Sequence, residues 1–561
     1  MHPVNIHTVY KGKGNKLDLD NDRGIFIVNI FRSILMKMVY SYEYSNIDKN
    51  MSDSNVGARR GKSPRNHVFI LNGIINEALK TKNKAIDIQI MDYAKCFDSL
   101  SLEECCNALY DTGLRNDNLT LIYNANSVNS VSIKTPFGVT QRENVNKIVL
   151  QGEVLGPLQC SVLVDTFGKE CMTEDKLLYN YWGDVKIPPL SMIDDIVAVS
   201  ECGLEAVDLN AYLNTKTNLK KLQFGVDKCV RMHVGCDKPF CPDLFIDQWK
   251  LKKVEEARYD VKNLQDVSDT THMMNTSEEQ KYLGFQLSSK GGNKQNIAMR
   301  RCKGLGIVRQ ITAILEDIPL GHHKYKIAVV LRNALLINSI LYNSEIWYSP
   351  TTAELETLEQ IDEMVLRGAL STPRTTPRPF LYLEMGCLPI RVIIKTRRLM
   401  YLHYLLNEDE DSLIHSFFQS QQKSPLKGDW CLNIQEDLSD FQIQHLSYDD
   451  IQHMSKLDFK TLINNSATKY AFKYLVALQK SMTKICQIKY TRLEIQPYLS
   501  SPIFSNREIE FLFQAKSRML NFRTNYRGSY SDVRCPLCSL ANSEDTHRLL
   551  SQNRRIPKSI K

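Results

Sequence analysis

The chain has 561 residues, too many for a single hydrophobic core, so two to four domains are expected. Hydrophobic residues make up 43% and charged residues 24%, ordinary globular values that exclude a largely disordered chain. The net charge of +8 suits nucleic-acid binding, but many unrelated enzymes share it.

Fifteen cysteines are scattered without a repeating framework, and Cys105 and Cys106 are adjacent. Met1 to Asn5 runs straight into the basic stretch Lys11-Gly12-Lys13-Gly14, with no signal-peptide pattern. No uninterrupted apolar run reaches the roughly 18 residues that a membrane span requires. An intracellular protein with reduced thiols, in nucleus or cytoplasm, and with no membrane partner is the expectation.

The first ~85 residues place two basic, glycine-containing stretches around an apolar segment, Ile25 to Met38, that reads as a helix. From Ala85 the pattern turns to alternation: Ile86, Ile88 and Ile90 are separated by Asp87 and Gln89. That is a strand, and it delivers Asp92 at its end. Leu190 to Met192 and Ile196 to Val199 are two further apolar strands, joined by Ile193-Asp194-Asp195 into a hairpin with an acidic tip. Helical stretches lie between and after these, including Leu102 to Tyr110 and Leu204 to Leu222.

Beyond about residue 285 the strands fade. Helical periodicity dominates Lys326 to Trp347, Leu355 to Leu370 and Arg391 to Leu406, with Pro373, Pro377 and Pro379 breaking the second from the third. Glu408 to Asp411 and the polar run Gln419 to Lys427 read as a linker to a last helical region. The expected domains are 1-290, 291-405 and 406-561, the last ending in a cysteine-containing tail at 535-552. There is no internal repeat.

Asp92 at a strand end facing Asp194-Asp195 at a hairpin tip is what template-directed polymerisation needs. Two divalent cations about 4 Å apart would lower the primer hydroxyl's pKa and neutralise the triphosphate. Magnesium takes hard oxygen ligands for this task. An adjacent Asp pair at a turn is also commonly a solvated tip, and spacing alone leaves both readings open.

The residues around these carboxylates resemble a known family. Asp92-Tyr93-Ala94-Lys95-Cys96-Phe97-Asp98 looks like the first catalytic motif of reverse transcriptases. Gln151-Gly152-Glu153-Val154-Leu155-Gly156-Pro157-Leu158 resembles the motif Gln-Gly-x-x-Leu-Ser-Pro-Leu, and Met192-Ile193-Asp194-Asp195 the aromatic-x-Asp-Asp box. Leu222 to Cys229 is similar to the lysine motif that follows, and Tyr282-Leu283-Gly284 to the turn beyond it. Upstream, Gly57-Ala58-Arg59-Arg60-Gly61-Lys62-Ser63 resembles a fingers motif of non-LTR retrotransposon reverse transcriptases. These motifs stand in the family's order over roughly residues 10 to 290.

The resemblance implies an α+β fold: a right-hand polymerase palm and fingers with an antiparallel sheet, then a helical thumb and a mostly helical C-terminal region. It implies RNA-directed DNA synthesis, with an RNA template, a nucleic-acid primer and deoxynucleoside triphosphates as partners. Asp92, Asp194 and Asp195 would bind two Mg2+ ions, with Mn2+ as a substitute. Lys228 would protonate the leaving pyrophosphate, or be a solvated lysine. Phe97 would stack under the sugar and reject a 2′-hydroxyl, or belong to the core. Gln151 and Gly152 would line the nucleotide. Arg59 would contact the triphosphate, or lie in an exposed basic loop. Asp98 would orient its loop.

Met192, Gly156 and Ala58 depart from the family pattern, Gly156 in a way expected to loosen its loop, but none is a metal ligand. Cys535-Pro536-Leu537-Cys538 with His547 resembles a zinc knuckle lacking its fourth ligand, so either a three-ligand Zn2+ site or a degenerate knuckle is expected. No endonuclease or ribonuclease H pattern is seen, so a fragment or truncated copy of a retroelement reading frame is expected. The rival readings are a catalytically decayed or domesticated nucleic-acid-binding relic and an RNA-dependent RNA polymerase, which Phe97 disfavours.

Overall fold

The structure is a computed structural model. It describes residues 4–517 apart from 13, 17, 19–20, 136–137, 147–148, 237–241, 252–266, 319–323, 483–484 and 502. Cys535, Cys538 and His547 therefore lie outside the described residues. The chain forms two compact units, one of residues 1–295, 346–349 and 405–433, the other of 296–345, 350–404 and 434–561.

The first unit is built on a sheet in the order Asn275–Thr276, Val230–Gly235, Ala85–Asp92, Asp195–Glu201, Leu190–Met192. All neighbours are antiparallel except the short outer pair at Val230 and Asn275. The alternation of Ala85–Asp92 predicts one wet face, yet Ala85 to Met91 are all buried. Its polar residues are satisfied internally: Arg231 grips Asp87 through two bonds of 2.8 and 2.7 Å, and Gln89 donates to the Ala206 carbonyl at 3.0 Å. Both faces of this strand are covered, which fixes its register and that of the carboxylate at its end.

Helices Leu102–Asp111, Gly156–Cys171 and Leu204–Leu219 supply much of the surrounding apolar core, with Met91, Ile196 and Ala198 contributed by the sheet. Pro157 starts the second of these at the first turn, where its missing N–H costs nothing. A second sheet pairs Asp22–Ile27 with Val4–Tyr10, and Val4–Tyr10 in parallel with Val128–Thr135.

This sheet corrects the expected helix over Ile25 to Met38. Ile25 and Phe26 are paired with His7 and Ile6, and the helix is Ile30–Lys49. Asn29 begins it by accepting a hydrogen bond from the Phe31 amide at 2.8 Å. The expected linker is likewise structured. Leu413–Lys423 is a helix whose Phe417 stacks on Tyr181 at 4.2 Å and meets Phe69 edge-on at 5.8 Å. Residues 405–433 thus complete the first unit, and the compact units follow packing rather than boundaries at 290 and 405.

The described part of the second unit is helical. Thr352–Ala369, Arg378–Met385, Ile390–Leu406 and Lys456–Lys480 are its main elements, with the third crossing into the first unit at its end. The expected single helix over Lys326 to Trp347 is instead Lys324–Leu331 running into a π-helical segment, Arg332–Ile337. There Arg332 is buried and clamps Asp362 through two bonds of 2.5 and 2.6 Å, while Tyr382 donates to the same carboxylate at 2.8 Å.

Candidate active site

Asp92 ends the central strand and lies directly opposite Asp195, the first residue of the neighbouring antiparallel strand. Directly opposed residues point to one face, so the two carboxylates share it. Asp194 stands in the turn just before, between Leu190–Met192 and Asp195–Glu201. The turn is tight: Ile193 has φ +60°, a left-handed conformation that β-branched residues rarely adopt. Gly57 lies against it, and a Cβ there would come within 2.3 Å of the Ile193 nitrogen. The Gly57 segment is tied to the hairpin by Val56 N–H bonding the Ser191 carbonyl at 3.0 Å.

Crowding sets the electrostatics. Burial first, then the charges of Asp194 and Asp92, pushes the Asp195 carboxyl up to about 7. Asp194 is raised mainly by burial and also by Asp92, against the pull of its own amide, Lys228 and Arg23. Lys228 sits on Asp92 at 2.7 Å, Nζ to Oδ1. Carboxylates at these three neighbouring positions offer only hard oxygen donors, the ligand type a divalent cation takes.

Their ligand oxygens do not all lie within 4.8 Å of one another. Among the described residues, Asp87, Cys202 and His233 form the group whose ligand atoms lie mutually within 4.8 Å, and there Arg231 already neutralises Asp87.

The surrounding motifs hold the carboxylates in place. Tyr93 stacks on Phe224 at 4.8 Å, the Gly225 amide donates to the Asp92 carbonyl at 2.8 Å, and the Ala94 amide to the Gln223 carbonyl at 2.8 Å. The loop carrying Lys228 is thereby fastened beside Asp92. Tyr282 is buried, its hydroxyl 3.2 Å from His67 Nδ1, with burial and then the charge of Asp195 raising its pKa. Leu283 and Gly284, both at positive φ, close the hairpin that positions it.

Phe97 is partly buried against the core, with its ring 3.8 Å from where a Cβ on Gly156 would stand. A Cβ at Gly156 would approach the Leu150 carbonyl to 2.7 Å, so a side chain there requires the backbone to shift. Gln151 accepts from the Phe26 amide through its carbonyl at 2.8 Å. Gly152, at φ +109°, is exposed, and its lack of a side chain first admits the Phe26 carbonyl, 2.9 Å from a Cβ placed there. Glu153 in the same motif is gripped by Arg32 at 2.7 and 3.1 Å.

Arg59 corrects the expectation of a triphosphate contact. Its side chain is 4% exposed, and it bonds Asp48 Oδ1 and the carbonyls of Asp48, Ser52 and Asn55. Four of its five N–H groups are engaged in shaping the loop, and the next residue, Arg60, is the exposed one. Besides Lys228, a second and smaller positive field on Asp194 comes from Arg23 on the Asp22–Ile27 strand. Sequence reading missed it because the segment reads as the approach to a helix. The Asp98 side chain lies outside the described residues.

No protein-family model matches the sequence, and no curated protein does. Similar solved structures include telomerase from Candida albicans in complex with a TWJ fragment of telomeric RNA, at 10% identity and a TM-score of 0.32. That match covers 81% of this chain and 65% of the other. The Candida tropicalis telomerase complex matches at 11% identity and 0.31, over 80% and 56%. A C-terminally truncated apo form from Candida tropicalis matches at 13% and 0.25, over 46% and 43%. The chain thus spans about two thirds or less of the length of these structures. Similarity this low leaves the function to the site itself.

Proposed function

We propose that the chain is a template-directed nucleotidyltransferase, an RNA-directed DNA polymerase of the non-LTR retroelement kind. The observation that carries this is the register of Asp195 opposite Asp92, with Asp194 at the adjoining turn and the Asp194 and Asp195 carboxyls pushed up by burial and by their neighbours' charges. Carboxylates raised in this way gain most from a divalent cation. The choice of RNA template, DNA product and retroelement origin rests on the six ordered motifs.

Asp92, Asp194 and Asp195 would hold the Mg2+ pair. Bound there, the ions would activate the primer 3′-hydroxyl and neutralise the triphosphate. Lys228, exposed and already beside Asp92, is placed to move onto the leaving pyrophosphate and give it a proton. Arg23 supplies positive charge toward Asp194 and replaces Arg59 as the candidate for a triphosphate oxygen. Phe97, Gln151 and the bare Gly152 backbone form the nucleotide side, Phe97 excluding a 2′-hydroxyl. The first unit would serve as palm and fingers and the helical second unit as thumb.

Primer extension on an RNA template tests this. Asp194→Asn keeps size and hydrogen bonding but loses the charge that holds an ion, so extension should fall at least ~1000-fold while duplex binding stays within a few-fold. A wild-type chain that binds duplex but extends no primer would make it a binding-only relic. Equal extension by both forms would end the metal assignment.

A further inference from the structure

The helix Ile30–Lys49 is apolar on both sides. Its inner face, Met36, Val39, Tyr44 and Ile47, is buried in the first unit. Its outer face carries Phe31, Ile34, Leu35, Met38 and Tyr42, all exposed, Phe31 at 72%, Met38 at 64% and Tyr42 at 81%. These positions follow i, i+3, i+4, i+7, i+11, so on a helix of 3.6 residues per turn they fall in one stripe roughly 100° wide. Ile30, also exposed, extends the stripe at its start. Lys37 lies well to the flank, and Ser41 and Ser45 leave room for close approach near the far end. The other exposed large hydrophobics among the described residues are scattered, and none forms such a run on one helix.

We propose that this stripe is a self-association surface, occupied by the same stripe of a second copy of the chain across a two-fold axis. Three observations select that occupant. The stripe has no charge at its centre, so it offers nothing to a polyanion and requires an apolar counterpart. The spacing is that of a helix-to-helix seam, in which each side chain fills a hole on a facing helix. The exposed parts of the six side chains amount to roughly 700–800 Å2, about what each partner contributes to a stable interface of standard size. A two-fold contact places one such patch on its own copy without any further surface. A solvent-facing apolar patch of this extent is otherwise a liability on a monomer.

Sedimentation velocity on the full chain, in reductant so that the exposed Cys302 cannot crosslink, reads the outcome directly. The wild type should pass from monomer to dimer as concentration rises through the micromolar range. Phe31→Glu and, separately, Met38→Lys should weaken association at least ~30-fold, as loss of a central apolar anchor does. Both sites are solvent-facing, so circular dichroism, and the thermal midpoint at concentrations where the wild type is monomeric, should match wild type. Leu457→Glu, at a 72% exposed leucine on another helix, should leave the dimer unchanged. A wild type that stays monomeric to tens of micromolar overturns the proposal. So does a dimer unaffected by both stripe substitutions, or one weakened equally by Leu457→Glu.

Discussion

Asp195 shows how much one carboxyl can carry. Its folded pKa, about 7 against an ordinary 3.8, means that folding is opposed by its ionisation. A raised acid contributes stability that is complete below its unfolded value and is lost as pH rises through the folded one. Between about pH 4 and pH 7 the metal-free protein should therefore lose stability as pH rises. Asp195→Asn should be more stable than wild type at pH 8, by about 2 kcal/mol after allowing for partial solvent exposure, and equal to it below pH 4. Denaturant melts of both forms in chelator across pH 4 to 8 check this; a constant difference would deny the raised pKa. The same residue scale shows what was readable in advance. Asp92, Asp194, Asp195 and Lys228 fall together because each sits in a local motif whose spacing is set by a strand end or a turn. Arg59 was misread because its role depends on what packs against it. Gly156→Ser, which brings the motif closer to the family pattern, should cost about 1–3 kcal/mol through contact with the Leu150 carbonyl. An unchanged thermal midpoint would show that the loop gives way.

At the scale of elements, the carboxylate turn is held by a segment about 135 residues earlier in the chain. Gly57 is pressed against the backbone of Ile193, Ser161 donates to the Gly57 carbonyl at 2.7 Å, and Asn55 to the Ser161 carbonyl at 2.8 Å. Ile193 pays for its left-handed backbone with packing against the core. Gly57→Ala should therefore displace the turn itself, destabilising by about 2 kcal/mol or more and lowering extension far beyond what that loss explains. Activity measured well below the melting temperature separates the two effects: a variant that is fully folded and fully active would show that Gly57 is only a loop glycine. The hairpin and central strand were legible because alternation and an acidic tip are local signals. The Asp22–Ile27 strand was not, because Ile25 to Met38 is one continuous apolar stretch. Only its pairing with Val4–Tyr10 splits it at Asn29.

For the whole molecule, the chain order of the motifs is not the order of packing. The linear reading ends a domain near residue 290, yet the helix Pro64–Lys80 needs partners that arrive more than 300 residues later. An added Cβ on Gly73 would lie 2.6 Å from Phe417, and Phe69 packs edge-on against both Phe417 and Trp430. Asp429 accepts a hydrogen bond from Asn76 at 2.7 Å. No local pattern in Gln419 to Lys427 announces this return, since the aromatic anchors are few and the intervening residues polar. The consequence is that residues 1–290 alone expose the Phe69 and Gly73 surface of that helix. Such a fragment should bind a hydrophobic dye and melt without a cooperative transition. Phe417→Ala in the full chain should destabilise the first unit by about 3–5 kcal/mol, the cost of emptying a buried aromatic site. The two results together are diagnostic, because Phe417 lies outside every motif and packs on the rings of Phe69 and Tyr181. If 1–290 melts cooperatively with the midpoint of the full chain, the first unit is a contiguous domain, and residues 405–433 merely rest on it.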